Sequence, residues 1–332
     1  MEASYYIQKD HAVKCVLCPH QCLIREGHTG VCRVRRNESG KLIADTYGKL
    51  SAIHVDPVEK KPLYHYFPGK DILSLGSIGC NMRCGCCQNW QISQTSVAGY
   101  PFERSFTPSD ILQMAQGQKH NIGVAYTYNE PGIWFEFMLD TARMIHDAGL
   151  KNVMVSNGFI AEEPLGELLQ YVDAFNIDLK SFSDGFYKKQ AGARLEPVLQ
   201  TLKQIRHSGR HLEITFLVIP TLNDNEGEFR EMITWIRNEL GQESILHLSR
   251  YHPMYKLQIE STPRESLLRL HAIARDFLDY VYVGNMQTAD FQDTFCGNCG
   301  ERVITRSGYR GVPVSLTENG ACRKCGNLII KF

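Results

Sequence analysis

The sequence predicts an α/β protein, a partial (β/α)6 TIM-like barrel with a small N-terminal Cys-rich module and a C-terminal zinc-ribbon-like module. Three observations carry this reading. Apolar runs of strand length alternate with amphipathic stretches of helix length in six strand–helix units between residues 71 and 285. No G-x-G-x-x-G follows the first of these strands, which sets aside a dinucleotide-binding fold. The chain's twelve cysteines fall into three clusters, one before the repeating region, one just after its first strand and one behind it. The expected domains are therefore residues 1–70, 71–285 and 286–332.

Candidate strands are 71–78, 122–128, 151–156, 173–179, 211–219 and 243–249, with a further short one at 280–284. Candidate helices lie between them at 108–119, 131–148, 161–170, 194–208, 225–239 and 263–278. Thr107-Pro108, Thr262-Pro263 and Asn223-Asp224 read as helix starts, since a side-chain oxygen there can accept from free backbone N–H groups and proline is tolerated in the first turn. Strands joined through helices pair in parallel. In barrels of this kind the working residues sit where strands end and the following loops begin.

Hydrophobic residues make up 43% of the chain and charged residues 22%, the balance of a folded globular protein. Thirty-six basic residues offset thirty-six acidic ones, so there is no broad electrostatic footprint for nucleic acid or an anionic membrane. No apolar run approaches the roughly 18 residues of a membrane span, and the N-terminus lacks a basic segment followed by an apolar core. A cytoplasmic protein is expected, in which clustered cysteines argue for metal sites over disulfides.

The first strand, Ile72-Leu73-Ser74-Leu75, runs into Gly79-Cys80-Asn81-Met82-Arg83-Cys84-Gly85-Cys86-Cys87. Thiolates select zinc, copper(I) or iron–sulfur clusters. Cys80, Cys84 and Cys87 stand as C-x3-C-x2-C and supply three ligands, whereas a closed zinc site wants four. A cluster held by three thiolates keeps one iron open. Cys86 reads as a packed thiol beside them.

Upstream, Cys15, Cys18, Cys22 and Cys32 form a C-x2-C-x3-C-x9-C set in a glycine-punctuated patch that needs a metal to become ordered, with His20 as a substitute ligand. Structural zinc, an auxiliary iron–sulfur cluster and metal-free thiols all remain open there. Residues 39–70 read as an irregular connection with short strands, and Glu59, Lys60, His65 and Tyr66 within it as packing and hydrogen-bonding residues. Downstream, Cys296-Gly-Asn-Cys299 and Cys322-Arg-Lys-Cys325 are two C-x2-C knuckles of zinc-ribbon form.

Polar residues gather at the strand ends. The second strand ends at Thr127-Tyr128-Asn129-Glu130-Pro131, the third at Ser156-Asn157-Gly158, the fourth at Asp178-Leu179-Lys180 and the sixth at Arg250-Tyr251-His252-Pro253. Each alone suits a turn or a helix cap. Their joint position on one rim with the cysteine loop points to a site.

These motifs resemble the radical SAM domain of pyruvate formate-lyase activating enzyme and its relatives, over roughly residues 71 to 285. The Cys-x-x-Cys-Pro-His-x-Cys patch, Glu59-Lys-Lys-Pro-Leu-Tyr-His65 and the C-terminal cysteine pairs resemble the AmmeMemoRadiSam system radical SAM proteins, so that nearly the whole chain is covered. The resemblance implies that Cys80, Cys84 and Cys87 bind three irons of a 4Fe-4S cluster whose open iron takes S-adenosylmethionine (SAM). It implies that Glu130 with Asn129 meets the SAM amino group, Ser156 and Asn157 the ribose or methionine portion, Lys180 with Asp178 the carboxylate side, and His252 the adenosine end. Reductive cleavage then gives methionine and a 5′-deoxyadenosyl radical that abstracts hydrogen from a protein or small-molecule substrate. A reductant such as flavodoxin or ferredoxin, and Memo-like and AMMECR-like proteins, are the implied partners.

The sequence departs from the family pattern at four places. Tyr128-Asn129-Glu130 stands where Gly-Gly-Glu is usual, Val155 where activating enzymes carry a carboxylate, Thr215 where they carry an arginine, and Cys86 where an aromatic residue is common. A glycyl-radical-enzyme activating enzyme and a non-catalytic zinc-binding interaction protein are the alternative readings.

Overall fold

The polar, glycine-punctuated N-terminal stretch folds as two small antiparallel sheets. In this computed structural model, which describes residues 1–286 and 291–330, β1 (Tyr6–Lys9), β2 (Ala12–Cys15) and β3 (Leu23–Arg25) form one of them. The hairpin of β4 (Arg35–Glu38) and β5 (Lys41–Ala44) forms the other, turning at Ser39 and Gly40, both with positive φ. The Arg35 guanidinium, 1% exposed, lies 2.9 Å from both carboxylate oxygens of Glu136 and donates to the Ser4 carbonyl at 2.7 Å. A buried two-pronged pair of this kind is costly to break from one side. It fixes the N-terminal module to the third helix of the central domain.

The central sheet has eight strands in the order β13-β12-β11-β10-β9-β8-β7-β6. In chain order these are β6 (Ala52–Pro57), β7 (Asp71–Gly76), β8 (Asn121–Tyr126), β9 (Lys151–Ser156), β10 (Ala174–Asp178), β11 (His211–Val218), β12 (Ile245–Arg250) and β13 (Tyr280–Gly284). From β7 to β13 every pairing is parallel between sequence neighbours, the arrangement that strand–helix–strand units impose. β6 pairs antiparallel with β7, from Ala52 opposite Gly76 to Pro57 opposite Asp71, so residues from the irregular connection supply one sheet edge. The sheet stays open between β6 and β13, a partial barrel.

The helices are α1 (Trp90–Ser93), α2 (Pro108–Gln116), α3 (Phe135–Asp147), α4 (Glu162–Leu168), α5 (Asp184–Phe186), α6 (Leu195–His207), α7 (Glu226–Leu240) and α8 (Arg264–Arg275). α2 begins as expected, with Thr107 and Asp110 exchanging side-chain and backbone hydrogen bonds and Pro108 in the first turn. The other two start signals do different work. α7 is capped by Asn225, while Asn223 accepts from the Ile219 N–H. Thr262 bonds Val218 and Tyr251 and does not cap α8. Among the described residues no helix is long and apolar enough to cross a membrane.

The C-terminal module adds β14 (Thr294–Phe295), β15 (Arg302–Ser307) and β16 (Arg310–Pro313) in one antiparallel sheet. It packs Val303, Ile304 and Ile330 against Tyr64, Ile245, Tyr280 and Tyr282 at the N-terminal ends of β12 and β13. The Glu59–His65 stretch is the joint. Glu59 Oε1 accepts from the N–H groups of Gly69 and Gly311, at 2.7 and 2.8 Å. Arg306 donates to the Tyr64 carbonyl at 2.6 Å and lies 4.1 Å over the Tyr64 ring.

Beneath this joint Glu213 is fully buried. It accepts from the N–H groups of Tyr64 and His65 and from the imidazoles of His211 and His247, at 2.6 to 2.9 Å. Burial alone would raise its carboxyl, but the two imidazoles outweigh that and hold it well below the ordinary range.

Burial pushes the neighbouring His65 imidazole down from its ordinary 6.5 to about 3, and its Nε2 lies 2.6 Å from the Tyr282 hydroxyl. The unfolded chain takes up a proton below 6.5 while the folded chain refuses it until about 3, so stability is complete above 6.5 and is lost as pH falls through that window. By about pH 4.5 His65 should cost the fold about 3 kcal/mol. Denaturant unfolding across pH 7.5 to 4.5 should show this slope, and His65→Gln, whose amide can still meet Tyr282, should flatten it.

Candidate functional site

The site is built at the C-terminal ends of the central strands. β7 is buried along Ile72 to Gly76, so the chain leaves the sheet interior directly into the cysteine loop. Gly79 has φ +80°, and a Cβ there would lie 2.6 Å from the Cys32 carbonyl and 2.8 Å from Val34 Cγ1. Only glycine lets the loop reach Cys80 while touching the N-terminal module. Asn129 then braces the turn, accepting from the Ser77 N–H at 3.1 Å and donating to the Gly79 carbonyl at 2.9 Å. Both ends of its amide are engaged by backbone, so its contact is with the loop.

Glu130 is 2% exposed and sits at the end of β8. Its Oε1 accepts from Ser156 Oγ at 2.8 Å and from the Gly132 N–H at 2.9 Å, capping the turn Pro131–Trp134. Its Oε2 accepts from the Asn157 N–H at 2.8 Å. Burial pushes this carboxyl up, against those bonds and the charge of Lys180. A carboxylate offers about four acceptor positions, so one remains on Oε2.

Asn157 carries the connection onward. Its Nδ2 donates to Asn81 Oδ1 at 2.9 Å and lies 3.6 Å from Cys80 Sγ. Gly158, at φ +70°, has no room for a Cβ against Ile177 Cγ2, at 2.9 Å, which accounts for the glycine of the Ser-Asn-Gly triplet. Buried Glu130, Ser156 and Asn157 and half-buried Cys80 thus form one hydrogen-bonded unit.

Lys180 Nζ lies 3.0 Å from Asp178 Oδ2. Burial tends to lower this ammonium, and Asp178 together with Cys84 and Cys86 overcomes it and raises it well above the ordinary value. Burial pushes the Cys84 thiol up to about 12, with Lys180 acting against it. The site thus sets partly exposed thiols beside one cation, with Lys180 21% and Asp178 39% exposed. Cys87 Sγ is 3.6 Å from Ser93 Oγ, and Cys86 is half-buried, its thiol also raised by burial. His252 is placed differently, exposed on the loop after β12 with Nδ1 3.1 Å from Ser261 Oγ.

Several contacts that build the site carried no sequence signal. Lys256 and Leu257 both donate to the Gly85 carbonyl at 3.0 Å, and Tyr255 stacks on Trp90 with ring centres 5.0 Å apart, so the β12 loop closes on the cysteine loop. A short π-helical turn, Tyr187–Ala191, accepts from the Arg83 and Gly85 N–H groups. His20 Nε2 lies 2.7 Å from the Asn81 carbonyl. Glu59, Lys60, His65 and Tyr66 lie away from this rim, and their contacts are those of packing: Lys60 pairs with Asp56 at 2.8 Å and Tyr66 stacks on His211.

A family model described as the radical SAM superfamily matches residues 75–236. Over these residues the chain carries a radical SAM domain. Among radical SAM relatives, pyruvate formate-lyase-activating enzyme of Clostridium pasteurianum is 23% identical over 60% of this chain and 89% of its own length. A protein of Methanocaldococcus jannaschii described as uncharacterised is 42% identical over 99% of this chain and 98% of its own. SuiB of Streptococcus suis bound to S-adenosylmethionine superposes with a TM-score of 0.52 at 15% identity, covering 68% of this chain and 55% of that one. A radical SAM methyltransferase from Sphaerobacter thermophilus gives 0.51 at 12% identity, over 71% of both chains. At these identities the two structures establish the shared fold. The chain is a radical SAM enzyme related to glycyl-radical activating enzymes, and membership implies a 4Fe-4S cluster and SAM. The donor set fits: three thiols on one partly buried loop, with an acidic and a basic side chain beside them.

Away from this rim, Cys296, Cys299, Cys322 and Cys325 bring four ligand atoms within 4.8 Å of one another, a group able to hold a metal ion. A cavity of about 580 Å³ opens at the opposite, N-terminal ends of the strands, lined by His211, Arg210, Asp173, Lys151 and Tyr280. It includes none of the cysteines or strand-end residues of the radical SAM site.

Glu130→Ala would leave two backbone N–H groups and the Ser156 hydroxyl buried without their acceptor. Unmet buried donors cost about 1–3 kcal/mol each, so denaturant unfolding should show a loss of about 3 kcal/mol or more.

Proposed function

We propose that this chain cleaves SAM reductively at Cys80, Cys84 and Cys87 and directs the product radical to a protein or small-molecule substrate. The observation that carries this is the continuous contact from Glu130 through Asn157 to Cys80. When bound, the 4Fe-4S cluster and SAM supply one-electron cleavage to methionine and a 5′-deoxyadenosyl radical. The three cysteines would hold three of its irons. Glu130 offers its remaining acceptor position to the SAM ammonium, with Ser156 and Asn157 keeping the carboxylate oriented and lying beside the ribose or methionine portion. Lys180, steadied by Asp178, meets the SAM carboxylate with the opposite charge. His252 stands at the adenosine end, on the loop that closes over Gly85. Asn129 is a positioning residue, acting through the loop it braces.

Two departures weigh against glycyl-radical activation. Val155 offers no charge, and Thr215 turns its hydroxyl inward to Asn176 at 2.9 Å. Both cysteine-rich flanks support membership of the AmmeMemoRadiSam system, with Memo-like and AMMECR-like proteins as partners and a flavodoxin or ferredoxin as donor.

We also assign structural zinc to the C-terminal four. Zn–S bonds of about 2.3 Å set tetrahedral edges of about 3.8 Å, close to the 3.6 Å between Cys296 and Cys325 and the 3.7 Å between Cys299 and Cys322. The metal would tie down the module that packs on Tyr64 and Tyr282.

Two experiments test these assignments. Anaerobic reconstitution followed by dithionite and SAM should yield 5′-deoxyadenosine, and Glu130→Ala should lower the yield by about a hundredfold; a full-length, iron-loaded enzyme that forms none would overturn the proposal. Metal analysis should find zinc in the native chain, and Cys322→Ser should lose it and lower Tm by about 10 °C.

A further inference from the structure

We propose that Cys15, Cys18, Cys22 and Cys32 hold a second iron–sulfur cluster, and that this cluster relays electrons to the Cys80 site. The proposal rests on the reading of Cys80, Cys84 and Cys87 as the place of reductive SAM cleavage. It gives a metal and a task to a four-thiol set whose spacing alone leaves both open.

Sulfur geometry separates the two flanking cysteine sets. Among the described residues, the C-terminal four are the one group of three or more metal-binding side chains with all ligand atoms within 4.8 Å of one another. Neither the four N-terminal cysteines nor Cys80, Cys84 and Cys87 form such a group. Tetrahedral zinc draws its sulfurs to about 3.8 Å apart. A cluster, which sets several irons and bridging sulfides between its thiolates, holds them farther apart. The four N-terminal cysteines also line a single small cavity, closed by Leu17, Ile24 and Ile133. Cys15 and Cys32 are buried, and the Val31 N–H points at Cys22 Sγ from 3.5 Å. Apolar closure and N–H···S contacts are the protein's means of tuning a cluster potential.

Position supplies the task. Gly79, which precedes Cys80, is packed against the Cys32 carbonyl so closely that a Cβ would come within 2.6 Å. His20, between Cys18 and Cys22, meets the carbonyl of Asn81, which follows Cys80, at 2.7 Å. Asn81 accepts from Asn157 at 2.9 Å, and the same Asn157 amide lies 3.6 Å from Cys80 Sγ. The two cysteine sets therefore touch through backbone and through a short hydrogen-bonded path. Contact this close is what an electron carrier needs. The transfer balances simply. A low-potential flavodoxin or ferredoxin donor loses one electron, the N-terminal cluster gains it, and the cluster returns to its oxidised state as the electron passes to the Cys80 site.

The test compares the full chain with a Cys80→Ala/Cys84→Ala/Cys87→Ala variant, both reconstituted anaerobically and read by iron, sulfide and zinc analysis and by EPR after reduction. The variant should retain the iron of one cluster and a signal that SAM does not alter, while the unaltered chain adds a second, SAM-sensitive signal. Zinc, or no metal, at the N-terminal set of the variant would overturn the cluster. If the unaltered chain shows only SAM-insensitive signals, the reading of Cys80 fails separately, and the relay falls with its acceptor. For the relay, Cys18→Ser/Cys22→Ser should lower the ratio of flavodoxin-driven to dithionite-driven 5′-deoxyadenosine formation about tenfold. His20→Leu, which keeps all four thiols and removes the contact to Asn81, should lower the ratio of flavodoxin-driven to dithionite-driven 5′-deoxyadenosine formation. The same ratio in both variants and the unaltered chain would overturn the relay.

Discussion

The buried carboxylate of Glu130 is the constraint on which the rim depends. It binds the start of the Pro131–Trp134 turn, the Ser156 hydroxyl and the Asn157 N–H, so the ends of β8 and β9 cannot move independently. Asn157, fixed in this way, reaches Asn81 and Cys80. An isolated ionised group would be expensive to bury. Three donors and the nearby Lys180 offset that cost and leave one acceptor position unused, which is what a cation-binding site requires. The unit that stabilises the rim is thus the unit prepared for ligand.

The opposite end of the sheet repeats the device with another outcome. Glu213 is equally buried, but its four donors come from two imidazoles and two backbone N–H groups and fill its acceptor positions. Nothing remains for a ligand. Its task is to hold the Glu59–His65 stretch beneath the C-terminal module. The different saturation of two buried carboxylates divides a ligand-ready rim from a structural base.

Much of the fold was legible because parallel strands buried on both faces read as apolar runs. β7 and β9 show this plainly, and Glu130, Ser156 and Asn157 follow as the polar residues that end such runs. β6 was less legible as a sheet edge, since His54 and Val55 are exposed and its antiparallel partner is fixed only by tertiary packing. The turn at Tyr187–Ala191 is too short to show a period. Asn81 and His20 were invisible as site-builders for another reason: they act through a backbone carbonyl and a partner distant in sequence, and neither is encoded locally. Asn129 illustrates the same limit, because a strand-end amide gives no sign of whether it faces a ligand or its own loop.

Tyr128 shows how a departure from family pattern is absorbed. The residue stands where glycine is usual and adopts φ +69°, a left-handed conformation that costs a non-glycine residue about 1–2 kcal/mol. The surroundings hold it there. Its hydroxyl donates to Asp56 at 2.6 Å, its carbonyl accepts from Asn89 at 2.6 Å, and Lys61 lies 4.7 Å over its ring. Asp56 also pairs with Lys60 and Lys61, and despite burial these bonds keep its carboxyl well below the ordinary range. The backbone geometry that glycine gives for free is here imposed by β6, the strand contributed from the N-terminal connection. Gly76 completes the fit, since a Cβ there would lie 2.9 Å from the Tyr128 ring. The edge strand therefore does more than close the sheet: it holds the backbone that delivers Glu130 to the cysteine loop.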